Sequence, residues 1–199
     1  MYRQHENVLL SNRQDVLLRP LRESDWRYLE KWNADSEILY YTEGDSITAY
    51  STDEVKKIYE HVSHTAEIFI IENTGRVIGE CWIQNMNIKN IIERNNLKLQ
   101  YRIDLMIGEK EYWNHGIGSH VIAMLVEYGF KYKNADTIWG IVSDYNIRSI
   151  NAFVKNDFEE YEKVREKDNP KAMFEIRMAI GRNNYKDKDI IRLTTASTR

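Results

Sequence analysis

The spacing of apolar residues changes from segment to segment along the 199-residue chain, and each spacing predicts an element. Residues 15–19 (DVLLR) read as a strand stopped by Pro20. Ser24 opens a helix with Trp26, Leu29, Trp32 and Ile38 near one stripe, and YYTEGDSITAY (40–50) has no clean period and reads as a loop. Ser51 and Glu54 form a Ser-x-x-Glu capping box that starts a second helix, running to about Ser63. EIFII (67–71), a turn through Gly75 and VIGECWIQNM (77–86) predict a hairpin, and 98–108 adds a third strand. The polar stretch 87–96 between them is expected as a long hairpin tip.

Residues 118–132 carry Val121, Ile122, Leu125 and Tyr128 on one helical face. TIWGIVS (137–143) is almost continuously apolar, as a buried strand would be. A short helix from Asn146 to Asn156 and strands near 158–165 and 171–180 follow. The order predicts one α/β domain over residues 1–180, a sandwich around a mixed sheet. The tail 181–199 has no convincing period and is expected to be a disordered end or a docking segment.

Composition narrows the functional classes. A net charge of −3 and a pI near 6.0 leave no electrostatic footprint for nucleic acid. Cys81 is the single cysteine, which excludes an intrachain disulfide and a cysteine-built metal site. His61 and His64, at i, i+3, read as a polar helix face, so no metal is expected. There is no signal-like run and no stretch of the ~18 apolar residues a membrane span needs. A soluble, cytoplasmic protein is expected, with no nucleic-acid or membrane partner. Five Trp and the unassigned tail leave room for a homodimer.

The most informative stretch is IGEKEYWNHGIGSHVIAMLVEYGF (107–130), a strand running into a glycine loop and then directly into a helix. Gly116 and Gly118 let a ligand approach the main chain, and the free N–H groups of a first helical turn favour an anion such as a pyrophosphate. The loop lacks the third glycine of a dinucleotide fingerprint, and Gly118-Ser119-His120 lacks the lysine of a P-loop. A second motif lies about thirty residues on: Asn146-x-x-Ser149-Ile150-x-x-Phe153-x-x-x-Asp157-Phe158.

Together IGEKEYWNHGIGSHVI and DYNIRSINAFVKNDF resemble the acetyl-CoA loop and following helix of GNAT N-acetyltransferases, and LLRPLRESDWRYLEKWNADSEI resembles their opening strand and helix. The resemblance covers residues 15–180. It implies the GNAT fold: a mixed, mostly antiparallel sheet whose two central parallel strands splay apart, with helices on both faces. It implies acetyl-CoA as co-substrate. Main-chain groups at Met106 and Ile107 would line the pantetheine arm, and Asn114, His115, Gly116, Ile117, Gly118 and Ser119 would cradle the pyrophosphate. Asn146 and Ser149 would reach the arm from the other side, with Phe153 beside it. Two positions depart from the family pattern: Trp113 stands where Gln or Arg is usual, and Phe153 where many members carry the tyrosine that protonates the thiolate. A thiol pKa like that of Cys (~8.5) makes the thiolate a tolerable leaving group without a strong acid, with water or Tyr145 as the alternative donor.

Acetylating an amine requires a carboxylate to bind the cation and take its proton. Asp104, inside the strand YRIDLMIG, is the first candidate, because aminoglycoside 6′-N-acetyltransferases carry an Asp at the matching place; the alternative is a salt bridge to Arg102 on the same face. Glu80 is the second, among apolar neighbours that would raise its pKa; the alternative is a solvated edge position. Tyr40, Tyr41 and Glu43 are expected at the acceptor edge, where aromatic faces and acids suit a cationic amine. Cys81 points away from Glu80 and has no His beside it, so an acyl-cysteine route is not expected. Three functions follow: acetylation of a small cationic amine such as an aminoglycoside, Rim-type acetylation of a protein N-terminus, and a CoA-binding module without turnover.

Overall fold

A computed structural model describes residues 5–12, 15–44, 49–95, 98–166 and 171–196. The strands are β1 (Asn7–Ser11), β2 (Val16–Pro20), β3 (Ala66–Asn73), β4 (Arg76–Asn85), β5 (Gln100–Ile107), β6 (Thr137–Ser143), β7 (Glu159–Arg165), β8 (Phe174–Gly181) and β9 (Ile191–Thr195). They form one sheet in the order β7-β8-β6-β5-β4-β3-β2-β1-β9. Every neighbouring pair is antiparallel except β5 with β6. That parallel pair holds register only from Gln100–Arg102 to Thr137–Trp139. Both strands then continue without pairing to each other, to Ile107 and Ser143, so the sheet opens at its centre.

The helices are α1 (Trp26–Asn33), α2 (Ser36–Thr42), α3 (Thr52–Ser63), α4 (Lys89–Arg94), α5 (Ile117–Tyr132) and α6 (Ile147–Val154). Alternation along β4 and β5 assigns the two faces of the sheet. Cys81, Ile83, Ile103 and Leu105 join the core shared with Val121, Ile122 and Leu125 of α5 and Phe153 of α6. Trp82 and Met106 join the opposite core, with Leu29 and Trp32 of α1, Ile38 of α2, and Val55 and Tyr59 of α3. Each fully buried side chain of this kind contributes roughly 1.5–3 kcal/mol. Trp32 lies flat over Gly108, where any methyl would collide with the indole, and this pins α1 above the end of β5.

The sequence expectation of one helix from Ser24 past Ile38 is corrected. Asp35 takes an extended backbone (φ −96°, ψ 110°) and its carboxylate accepts the N–H groups of Glu37 and Ile38, which ends α1 and starts α2. Tyr40 and Tyr41 are therefore helical rather than in a loop, while Asp45 lies outside the described residues. The Ser51–Glu54 capping box forms reciprocally. The polar stretch after β4 holds the helix α4, seated by buried Ile91 against Met86 and Trp139.

Of the two alternatives for the tail, the structure has the docking segment: β9 pairs with β1 over Asn7–Ser11. The buried Glu127 carboxylate of α5 accepts the N–H groups of Ile190 (3.1 Å) and Ile191 (3.3 Å), and both isoleucine side chains are buried. No helix of the described residues is long and apolar enough to cross a membrane.

Candidate active site

Two cavities meet where β5 and β6 part. The first, about 380 Å³, runs between the end of β5 and the first turns of α5 and α6. Asn114, Gly116, Ile117, Gly118 and Ser119 line it together with Met106, Ile107, Asn146 and Ser149. His115, expected in the cradle, is exposed and does not line it. Gly116 caps α5 at φ +80°, a left-handed conformation that glycine adopts without penalty and that turns the loop into the helix. The first N–H groups of α5 have no carbonyl one turn earlier to bond, and they carry the positive end of a sixteen-residue helix. Asn156 braces the two helices flanking this groove: its Nδ2 donates to the carbonyl of Ser119 at 2.8 Å.

Sequence reasoning missed the cations of this groove. Arg148 and Lys155 are the charged side chains among its lining residues, with no carboxylate beside them. The Arg148 guanidinium lies 4.2 Å from the ring centre of Tyr41 and 4.3 Å from that of Trp113. Both cations stood in view as i and i+7 of the Asn146 motif, two turns apart on one helical stripe. Trp113, the departure noted above, donates from Nε1 to the carbonyl of Ile107 at 2.7 Å. That carbonyl keeps its second lone pair.

The second cavity, about 500 Å³, lies on the α1–α3 side. Among the described residues, Glu43, Glu80, Asp104, Glu166 and Glu175 line it with one cation, Arg102, and Tyr41, Tyr59, Trp82 and Phe153 supply aromatic walls. Tyr41, Thr42, Leu105, Met106, Asn146 and Ser149 line both cavities. Phe153 faces this second space and not the first. Its ring is 3% exposed, lies against the bare backbone of Gly140 and meets Phe158 edge to face at 4.9 Å. Tyr40 lines neither cavity; its ring packs on Tyr145 and Tyr41. The Tyr145 hydroxyl donates to the Tyr40 carbonyl at 2.6 Å, and Tyr145 lines neither cavity, so its service as an acid is not supported.

The two candidate carboxylates differ in what they touch. Asp104 is held on both oxygens: Arg102 donates Nε to Oδ2 at 2.7 Å and Nη2 to Oδ1 at 3.0 Å, and Trp82 Nε1 donates to Oδ2 at 2.9 Å. Glu80 is 4% exposed; its Oε1 accepts the Tyr59 hydroxyl at 2.6 Å, and its Oε2 is buried with no hydrogen-bond partner among the described residues. Burial pushes the Glu80 carboxyl up to about 8; the Tyr59 hydroxyl opposes that shift, and Asp104 and Glu43 add to it. Burial also raises Glu43, with the charge of Asp104 in support. Acids that each resist ionising form a site that a cation would relieve.

Residues 15–159 match the family described as the acetyltransferase (GNAT) domain. The chain belongs to the GNAT acetyltransferase family. Among curated GNAT relatives, spermidine N(1)-acetyltransferase of Escherichia coli (strain K12) is 23% identical over 143 residues, 72% of each chain. Among solved structures, the spermidine N-acetyltransferase of Vibrio cholerae with CoA and spermine aligns at a TM-score of 0.70 with 21% identity, over 86% of this chain and 98% of that one. The aminoglycoside acetyltransferase AAC(6')-Ib with ribostamycin and coenzyme A aligns at 0.73 with 21% identity, over 85% and 95%. RimJ of Mycobacterium smegmatis with CoA-disulfide aligns at 0.69 with 19% identity, over 92% and 90%. The open parallel pair expected of the GNAT fold is thus present, in a chain that carries the acetyltransferase domain of that family.

Proposed function

We propose that this acetyltransferase acts on a primary amine of a small acceptor with more than one positive charge, of the polyamine or aminoglycoside kind. The contrast between the two cavities supports this reading. One offers a helix N-terminus and two cations, with no acid among its described lining residues, as coenzyme A requires; the other is lined by five carboxylates and the Arg102 guanidinium among the described residues, with Arg177 paired to Glu175 behind them. They share a wall at Met106 and Ser149.

Acetyl-CoA supplies an acyl carbon activated by a thiol of pKa near ~8.5, whose thiolate departs without a strong acid. Phe153 has no proton to give, and none is needed. Main-chain groups at Met106 and Ile107 line the arm, residues 114 and 116–119 receive the pyrophosphate, and Arg148 and Lys155 face the phosphates. Tyr41, Glu43, Trp82 and Asp104 hold the cationic acceptor. Glu80, rather than Asp104, takes the proton, because its Oε2 is uncommitted while both oxygens of Asp104 are engaged. The ammonium first gives one proton to ionised Glu80, directly or through one water. As the neutral amine then bonds to the acyl carbon, the carbon–sulfur bond breaks and the nitrogen's second proton passes to the departing thiolate or to water.

Thiol release from acetyl-CoA, measured with spermidine, an aminoglycoside and an N-terminal peptide, tests the reading. Turnover is expected with at least one of the two polycations and not with the peptide. Turnover with the peptide alone would move the chain to the Rim-type function. Tight coenzyme A binding with no release from any of the three would make it a binding module.

A further inference from the structure

Tyr59 lies in α3, far in sequence from every motif that points to the site, and it is 2% exposed. Its ring is fixed edge to face by Trp26 at 5.9 Å and Trp82 at 6.3 Å. Its hydroxyl donates to Glu80 Oε1 at 2.6 Å and accepts from Asn33 Nδ2 at 3.4 Å. Asn33 is itself anchored, donating to the carbonyl of Leu29 at 2.8 Å. A run of hydrogen bonds thus passes from α1 through α3 to one oxygen of Glu80, a residue that lines the acid-rich cavity, and leaves the other oxygen buried without a partner among the described residues.

We propose that Tyr59 is a positioning residue: it fixes the Glu80 carboxylate by one oxygen so that the other meets the acceptor amine. This rests on Glu80 being the proton acceptor. The groups facing Glu80 are Tyr59 from α3, Glu43 at the end of α2, and Asp104 from β5, with Arg102 beyond Asp104. The two acids favour the protonated form, and the Tyr59 hydroxyl is the donor that favours the ionised one. Removing that hydroxyl leaves Glu80 buried among acids with no donor, so it ionises at higher pH. Loss of a hydrogen bond to a charged group moves its ionisation by roughly one to two pH units.

Tyr59→Phe keeps the ring and its aromatic contacts, so the fold is expected to persist; circular dichroism checks this. The acidic limb of the kcat/KM profile, taken with one acceptor throughout, should move up by about one unit or more, with coenzyme A affinity unchanged. In a Glu80→Gln background the same substitution should change nothing further. A limb that stays in place while rates fall evenly with pH would overturn the positioning role. Glu80→Gln retaining parental turnover and limb would instead remove Glu80 as the base, a separate failure. If Tyr59→Phe does not fold, Asn33→Leu replaces it: it loosens the tyrosine from behind and should move the limb in the same direction, and an unmoved limb again overturns the role.

Discussion

Asn146 donates from Nδ2 to the main-chain carbonyl of Tyr41 across 3.1 Å, joining the helix beside the donor groove to the helix that walls the acceptor cavity. Its Oδ1 meanwhile accepts the N–H of Ser149 at 3.2 Å and caps α6. Asn146→Ala removes both bonds, and a lost N-cap alone costs about 1 kcal/mol. Coenzyme A should bind about fivefold more weakly, and the acceptor KM should rise with it. Titration calorimetry and steady-state kinetics read the two effects; a constant acceptor KM would mean that α2 is held without this bond.

Glu80 makes stability depend on pH. In the unfolded chain it ionises near 4.5, and in the folded chain near about 8. Between these values the folded state keeps a proton that the unfolded state has released, so stability falls as pH rises through that window and levels off above it. Glu80→Gln removes the dependence. Thermal melts from pH 5 to 9 should show the melting temperature of Glu80→Gln gaining on that of the parent until about pH 8.

Asp104→Asn tests the division of labour between the two acids. It leaves Arg102 without its bidentate counter-ion and takes one charge from the acceptor cavity. The acceptor KM should rise while kcat stays within about tenfold, the signature of lost binding rather than lost proton transfer, and the acidic limb should move down because a charge that raises Glu80 is gone. A loss of turnover of about 10²-fold or more would return the base to Asp104.

Arg148 contributes a charge and a planar group, held over the rings of Tyr41 and Trp113. Arg148→Lys keeps the charge but not the plane. Both Arg148→Ala and Arg148→Lys should weaken coenzyme A binding, and only the alanine variant should flatten its salt dependence. Binding isotherms at low and high salt separate the two contributions.

Gly116→Val should abolish coenzyme A binding. The left-handed backbone at Gly116 costs a branched side chain about 1–2 kcal/mol, and any side chain there sits in the groove's lining. Calorimetry on a variant shown to be folded checks this, and retained affinity would locate the pyrophosphate elsewhere.

What the sequence discloses here is largely local. The glycine loop and the helix it opens are read from adjacent residues, as is the Ser51 capping box, because backbone hydrogen bonding within a turn determines them. Alternation also brought Arg102 and Asp104 to one face and buried Glu80, since strand side chains repeat every two residues. The remaining features needed distant partners. β9 forms only because β1, at the other end of the chain, offers an edge, and Glu127 of α5 receives its first N–H groups. The break at Asp35 was concealed because Trp26, Leu29, Trp32 and Ile38 keep an apolar stripe across it. The Tyr59–Glu80 bond joins residues 21 positions apart on separate elements, and no periodicity encodes it.

The crowd of carboxylates around the acceptor has a consequence for turnover. An ammonium is drawn there by its charge, yet acetylation makes that nitrogen a neutral amide. On the proposed reading, the bond being made erases part of the attraction that brought the molecule in, so the spent acceptor is gripped less firmly than the fresh one. Clearance of the acetylated amine is then favoured by the loss of its charge within the acid-lined cavity itself.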